Sequence, residues 1–184
     1  MIKSERIYLK PIGENDIEWL RETRNKYKNN FFDANEISKE QQRSWYERYQ
    51  ENSTDRMFII KLKSGEYIGT IALYNIDIGS RKAVLGRVLL LEEFRGHGYA
   101  EEAVKLLTDY AFSIMKLYKI KVEVHQDNLD ALAIYARAGF KTITRPIMVL
   151  EKTNYDFDAR KPLKIESYDE LSETGYESQE SNIK

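Results

Sequence analysis

The spacing of apolar positions along this chain changes several times, and each change marks an element. Across residues 6–12 apolar and polar residues alternate, with Ile7, Leu9 and Pro11 on one side, which predicts a strand closed by Pro11. Asp16 opens a helical stretch to about Tyr27 with Ile17 and Leu20 inward, and the run NNFFDANEI interrupts it. Ser38 followed three residues later by Gln41 forms a capping box, so a second helix is expected over residues 39–50 with Trp45 and Tyr49 on one face. Residues 57–62 and 67–74 read as a hairpin around Gly65, and residues 83–90 as a further strand after the turn DIGSRK. Beyond Gly98, Ala103, Leu106, Leu107, Tyr110, Ala111 and Ile114 recur at offsets of 3, 4, 7, 8 and 11, the pattern of a helix with one buried face. The run YKIKVEVHQ alternates strictly, Ile120, Val122 and Val124 against Lys121, Glu123 and His125. Residues 127–138 form a helix striped by Ala131, Ile134, Tyr135 and Ala138, ended by Gly139 as a left-handed cap. Phe140 then starts a strand that turns at Arg145 and Pro146 and returns along residues 147–151.

Composition narrows the class. The 184 residues suit one domain, and 42% hydrophobic with 32% charged residues is a globular balance. A net charge of -1 provides no global basic field for nucleic acid. The absence of cysteine removes disulfides, thiolate metal sites and thiol nucleophiles, and no metal site is expected. No apolar run has signal-peptide or membrane-span length, so a cytoplasmic protein without membrane partners is expected. From Glu166 to Lys184 there are six acidic residues and one lysine, which sets a globular unit of residues 1–154 against an acidic tail or docked extension at 155–184.

The chemistry concentrates in two stretches. In LLLEEFRGHGYAEEAV a strand breaks at two carboxylates and an arginine, passes Gly96 and Gly98, and resumes as a helix. Glycines there allow a sharp turn and close approach, and the first-turn amides carry the positive end of the helix dipole, an anion cradle suited to pyrophosphate. The lack of GK[ST] excludes a Walker loop, and the spacing is not that of a dinucleotide fingerprint. In EVHQDNLDALAIYARAGF, Glu123 and His125 share the polar face of a strand, Asn128 ends it, and Tyr135 lies in the following helix. By periodicity alone Tyr135 belongs to the apolar stripe and Glu123 pairs with its neighbour Lys121.

Together the stretches resemble the GNAT superfamily of acyl-CoA-dependent N-acetyltransferases. Arg95, Gly98 and Ala100 match its acyl-CoA signature, and Asn128, Ala131, Tyr135, Gly139 and Phe140 match its later motif; the likeness covers residues 4–151. The resemblance implies an α/β fold: a mixed, mostly antiparallel central sheet of six to seven strands with helices on both faces. It also implies a V-shaped splay between two central parallel strands. Acetyl-CoA would lie with its pyrophosphate on Arg95, Gly96, His97, Gly98, Tyr99 and Ala100, His97 acting as a spacer and Glu92 and Glu93 flanking the cradle. Its pantetheine arm would run along Val88, Leu89 and Leu90, with Asn128 and Tyr135 completing the site.

The resemblance further implies acetyl transfer to a primary amine. Tyr135 would protonate the departing sulfur, and Glu123, its pKa raised in a partly buried cleft, would be the base, with His125 the other candidate. The segment from the first strand to the hairpin would build the acceptor wall, in a spacing similar to that of acetyltransferases acting on aminosugar nucleotides. Arg24, Phe32, Tyr74 and Arg87 are its expected contacts, by aromatic stacking and charge. Two readings compete with a small-molecule amine acceptor: a protein N-terminus, and a catalytically silent acyl-CoA-binding module. A monomer or homodimer is expected.

Overall fold

The computed structural model describes residues 1–30, 33–144 and 147–154. They build one sheet from β1 (Ile2–Lys3), β2 (Ile7–Pro11), β3 (Arg56–Leu62), β4 (Tyr67–Asp77), β5 (Lys82–Leu90), β6 (Lys119–Glu123), β7 (Lys141–Thr144) and β8 (Ile147–Glu151). The spatial order is β1-β2-β3-β4-β5-β6-β8-β7. Every neighbouring pair is antiparallel except β5 and β6, which are parallel. The sheet thus exceeds the expected six to seven strands. The addition is β1, whose two residues face Tyr8 and Leu9 and are too few to leave a period in the sequence.

Helices cover both faces. Along β3, Phe58 and Ile60 enter the main apolar cluster with α3 (Tyr99–Ser113) and α4 (Leu129–Arg137), while Ile59 joins a smaller cluster under α1 (Ile17–Lys26) and α2 (Lys39–Glu51). That alternation is the period-two rule at work on a sheet buried on both sides. The capping box at Ser38 forms, with Ser38 Oγ accepting from the Gln41 amide at 3.2 Å and Gln41 Oε1 from the Ser38 amide at 2.8 Å. In α2, however, Tyr46 and Gln42 are the buried positions, and Trp45 and Tyr49 pack half-buried beside them. The expected inward position of Ile114 is not realised either, because α3 ends at Ser113 and leaves Ile114 exposed as its cap. Gly139 does cap α4 in the left-handed region, at φ 92.

The parallel pair determines where a ligand can enter. β5 and β6 pair only at Lys82–Lys119, Ala83–Ile120 and Val84–Lys121, after which β5 continues to Leu90 without β6 beside it. On its other edge β5 carries a bulge: between the pairs Ala72–Gly86 and Thr70–Leu89, β4 advances two residues and β5 three. Arg87 absorbs the extra residue at φ 51, a conformation uncommon outside glycine. The strands therefore splay as expected, and the β6-side backbone edge of Val88, Leu89 and Leu90 has no strand partner among the described residues. The turn at Arg145 and Pro146, Phe32, and the acidic segment 155–184 lie outside those residues.

Candidate active site

The end of β5 leads through residues 95–98 into α3, and this connection is pinned from three sides. Arg95 folds back so that its Nε donates to the Leu90 carbonyl at 3.2 Å, with its guanidinium over the Tyr27 ring at 5.4 Å. The Tyr27 hydroxyl in turn accepts from the Glu92 amide at 3.1 Å. His97 Nδ1 lies 2.8 Å from the Arg95 carbonyl, and Arg6 Nη1 donates to the His97 carbonyl at 3.0 Å. Arg6 also stacks on Tyr99 at 4.8 Å and pairs with Glu102 at 2.6 Å. Arg6 and Tyr27 are thus the residues that hold the loop. Each lies far from it in sequence, where an isolated cation and a helix-end tyrosine carry no signal.

Gly96 and Gly98 both sit at φ 79, and Gly98 is the N-cap of α3 with no side chain capping the helix. A Cβ on Gly96 would meet nothing within 4 Å, so the space over Gly96 is open, while one on Gly98 would stand 3.5 Å from Arg6 Nη2. Two first-turn carboxylates would oppose an anion there, yet each is neutralised. Glu102 is held by Arg6, and Glu101 by Lys105 at 2.5 Å and Arg137 at 2.7 Å. Burial alone would raise the Glu101 pKa, but these two cations outweigh it and hold the carboxyl below its usual range. The loop thus presents open backbone beneath a positive dipole end with the local acids already paired.

The splay gathers the second set of groups. Tyr74 of β4 packs its ring beside Gly86, 3.0 Å from where a Cβ would stand, and beneath the Arg87 guanidinium at 4.9 Å. Burial raises the Tyr74 pKa, Arg87 opposes the rise, and the charges of Glu123, Asp55 and Lys121 also reach it. Tyr135 of α4 is 6% exposed, in edge contact with Phe140 at 5.6 Å, and burial with a smaller effect of Tyr74 holds its hydroxyl far above the ordinary tyrosine value. Tyr135 is therefore a member of the apolar stripe, close enough to Tyr74 of β4 for the two hydroxyls to influence each other. Glu123 is not in the partly buried cleft expected of it: it is exposed and paired with Lys121 at 2.6 Å. His125 is exposed just beyond β6. Asn128 is the N-cap of α4, its Oδ1 accepting from the Ala131 amide at 3.0 Å, so its side chain closes a helix end.

A cavity of about 600 Å³ opens between α1, α2 and the bulged end of the sheet. Leu20, Ile37, Met57 and Leu89 line its apolar part, with Trp45 at the side; Gln41, Gln42 and Asn35 contribute amides. Its ionic groups are Arg24, Arg48, Arg87, Asp33 and Glu36. Arg24 donates to the Asp33 carbonyl, and burial depresses its pKa. Glu36 is paired with Lys28 at 2.8 Å, and Arg87 makes two hydrogen bonds of 2.8 Å to the Asp55 carboxylate. Arg48, exposed on α2, makes no ion pair among the described residues. Of the expected acceptor contacts, Arg24 and Arg87 share this cavity, whereas Tyr74 lies under Arg87 rather than on the lining. Arg48 was not foreseen, because one arginine in a charged helix is indistinguishable by pattern from a solvated one.

Known proteins resemble this chain in sequence and in fold. A spermidine N(1)-acetyltransferase of Escherichia coli K12 is 32% identical over 95 residues, 52% of this chain and 50% of that protein. The chain therefore spans about half the length of the curated relatives it matches. A Vibrio cholerae spermidine N-acetyltransferase, solved with CoA and spermine, shares the fold at TM-score 0.75 and 20% identity, covering 80% of this chain and 96% of that one. The apo form of FdhC, a nucleotide-linked sugar GNAT, does so at TM-score 0.73 and 23% identity, covering 83% and 90%. The model of the acetyltransferase (GNAT) domain matches residues 6–141, and the chain belongs to the GNAT acetyltransferase family.

Proposed function

We propose that this chain is an acetyl-CoA-dependent N-acetyltransferase acting on the primary amine of a small anionic molecule, a nucleotide-linked aminosugar. The observation that carries the acceptor class is the charge of the cavity: its acids Glu36 and Asp33 accompany three arginines, of which Arg87 is paired with Asp55, Arg24 donates to the Asp33 carbonyl and Arg48 makes no ion pair among the described residues. A polycation such as spermidine would meet net positive charge there, whereas a diphosphate would neutralise it. Trp45, lining the same cavity and stacked on Tyr49 at 5.2 Å, offers an aromatic wall to a base or sugar.

The loop fits the pyrophosphate of coenzyme A: open space over Gly96, an uncapped α3 terminus and pre-neutralised Glu101 and Glu102. Bound there, acetyl-CoA supplies an activated acyl group. The unpartnered edge of Val88, Leu89 and Leu90 offers backbone groups to its extended arm. Tyr135 keeps its proton across the working range because burial holds its pKa up; the same burial makes it a weaker acid than a free tyrosine, so its part in protonating a departing sulfur rests on its position in the family motif and not on its acidity. Glu123, paired with Lys121, and His125, both exposed at the end of β6, are the two groups available to take the proton of the incoming amine.

The test is a panel of amines assayed by free-thiol release from acetyl-CoA. Turnover of an aminosugar nucleotide is expected, with Arg48→Ala raising its KM about 10-fold and leaving the acetyl-CoA KM unchanged, the mark of one lost charge-assisted contact. Turnover of spermidine or of an alanine-starting peptide in its place overturns the acceptor. Absence of both turnover and acetyl-CoA binding overturns the reading entirely.

A further inference from the structure

The bulge in β5 is held in place by side chains that the family signatures do not include. Arg87 adopts φ 51 at the position where β5 gains its extra residue. Three contacts meet there. The Thr70 hydroxyl donates to the Arg87 carbonyl at 2.9 Å, the Arg87 guanidinium covers the Tyr74 ring, and both its Nη atoms bond the Asp55 carboxylate at 2.8 Å. The Asp55 side chain is only 11% exposed, and Asp55 lies in the turn between α2 and β3. A two-point pair to a planar guanidinium fixes orientation as well as distance, which a lysine at the same place does not.

We propose that Asp55 is a positioning residue for acyl transfer: by clamping Arg87 it fixes the β5 bulge, and so aligns the backbone of Val88 and Leu89 with the acceptor cavity. The clamp spans both halves of the site, since Arg87 and Leu89 line the cavity while the same stretch of β5 borders the splay. A left-handed arginine in a strand is a strained conformation that persists only when its surroundings hold it. Asp55 is the charged group that does so. This inference rests on the acetyltransferase reading, and its test separates the two.

In Asp55→Asn one oxygen can still accept, but the charge and the symmetric two-point grip are lost. The expected result is a fall in kcat of about 10-fold or more, with a smaller loss of acetyl-CoA affinity by calorimetry, because the loop at residues 95–98 is untouched while the edge at Val88 and Leu89 is loosened. Amide hydrogen exchange at Val88 and Leu89, measured without any ligand, is expected to quicken by about 10-fold or more. Arg87→Lys should reproduce both effects, and combining the two changes should add little to either alone, the signature of one shared interaction. Should Asp55→Asn fail to fold, Arg87→Lys carries the same readouts. A kcat within 2-fold of the parent and unchanged exchange at the bulge would overturn the proposal while leaving the acetyltransferase reading standing. A parent protein that transfers no acetyl group but shows the exchange change would overturn that reading alone.

Discussion

Against one face of the sheet, α3 and α4 bury Leu106, Leu107, Phe112 and Tyr135 in a single apolar cluster continuous with β2 to β6. Against the other, α1 and α2 share a cluster whose buried members are Ile12, Leu20, Tyr46 and Ile59. The second face makes up the difference with directional contacts. Asp16, 2% exposed, binds Lys10, accepts from the Gly13 amide at 2.7 Å, and accepts from the Tyr67 hydroxyl at 2.9 Å. A face held by volume must be filled, whereas a face held at a few hydrogen-bonded points can leave space between them. The cavity beside α1 and α2 lies on the second face, so its lining can change without emptying the core.

The strongest way to break this contrast is to cut the packed face. Phe112→Ala should destabilise by about 3–5 kcal/mol in denaturant unfolding, as expected for a fully buried aromatic in a close-packed cluster. A loss below about 1 kcal/mol would mean that volume does not hold this face. On the other face Asp16→Asn should cost about 3 kcal/mol at neutral pH, because it strips the carboxylate from a mostly buried pair. Burial pushes the Asp16 pKa up, but the hydrogen bonds from Lys10, Gly13 and Tyr67 outweigh it and set the folded value below the usual one. A depressed carboxylate contributes fully above its unfolded pKa, about 3.9, and loses that contribution as pH falls through the folded value. The difference between parent and variant should therefore be constant above about pH 5 and close in stronger acid; a constant difference down to pH 2 would refute the linkage.

Two smaller changes sharpen the comparison at the ligand loop and at α4. Gly98→Val places a branched side chain at φ 79, a strain of about 1–3 kcal/mol, and should abolish acetyl-CoA binding in calorimetry with the fold retained. Binding that survives would move the pyrophosphate elsewhere. Asn128→Ala should lower stability by about 1 kcal/mol, the worth of a helix cap, and leave acetyl-CoA affinity unchanged. A large loss of affinity instead would make Asn128 a ligand contact.

What the sequence disclosed was whatever is local. The loop with Gly96 and Gly98, the stripe of α4 and the capping box at Ser38 each sit within one stretch, where spacing alone carries geometry. The cavity draws on α1, α2, β3, β4 and β5 at once, and no periodicity records such convergence. The Arg87 and Asp55 pair spans 32 residues, so Arg87 read as an open cation when it is a committed one. Alternation placed Glu123 on the polar face of its strand but could not say whether that face is covered. β7 and β8 pair beyond it, and it remains exposed.

Gly96 carries a last consequence, one of handedness. The space above it is open, so what bars an ordinary side chain there is its L configuration at φ 79 rather than its size. A D-alanine introduced by chemical ligation would accept that dihedral without strain and would restrict the unfolded chain, raising stability by about 0.4–1 kcal/mol where L-alanine lowers it.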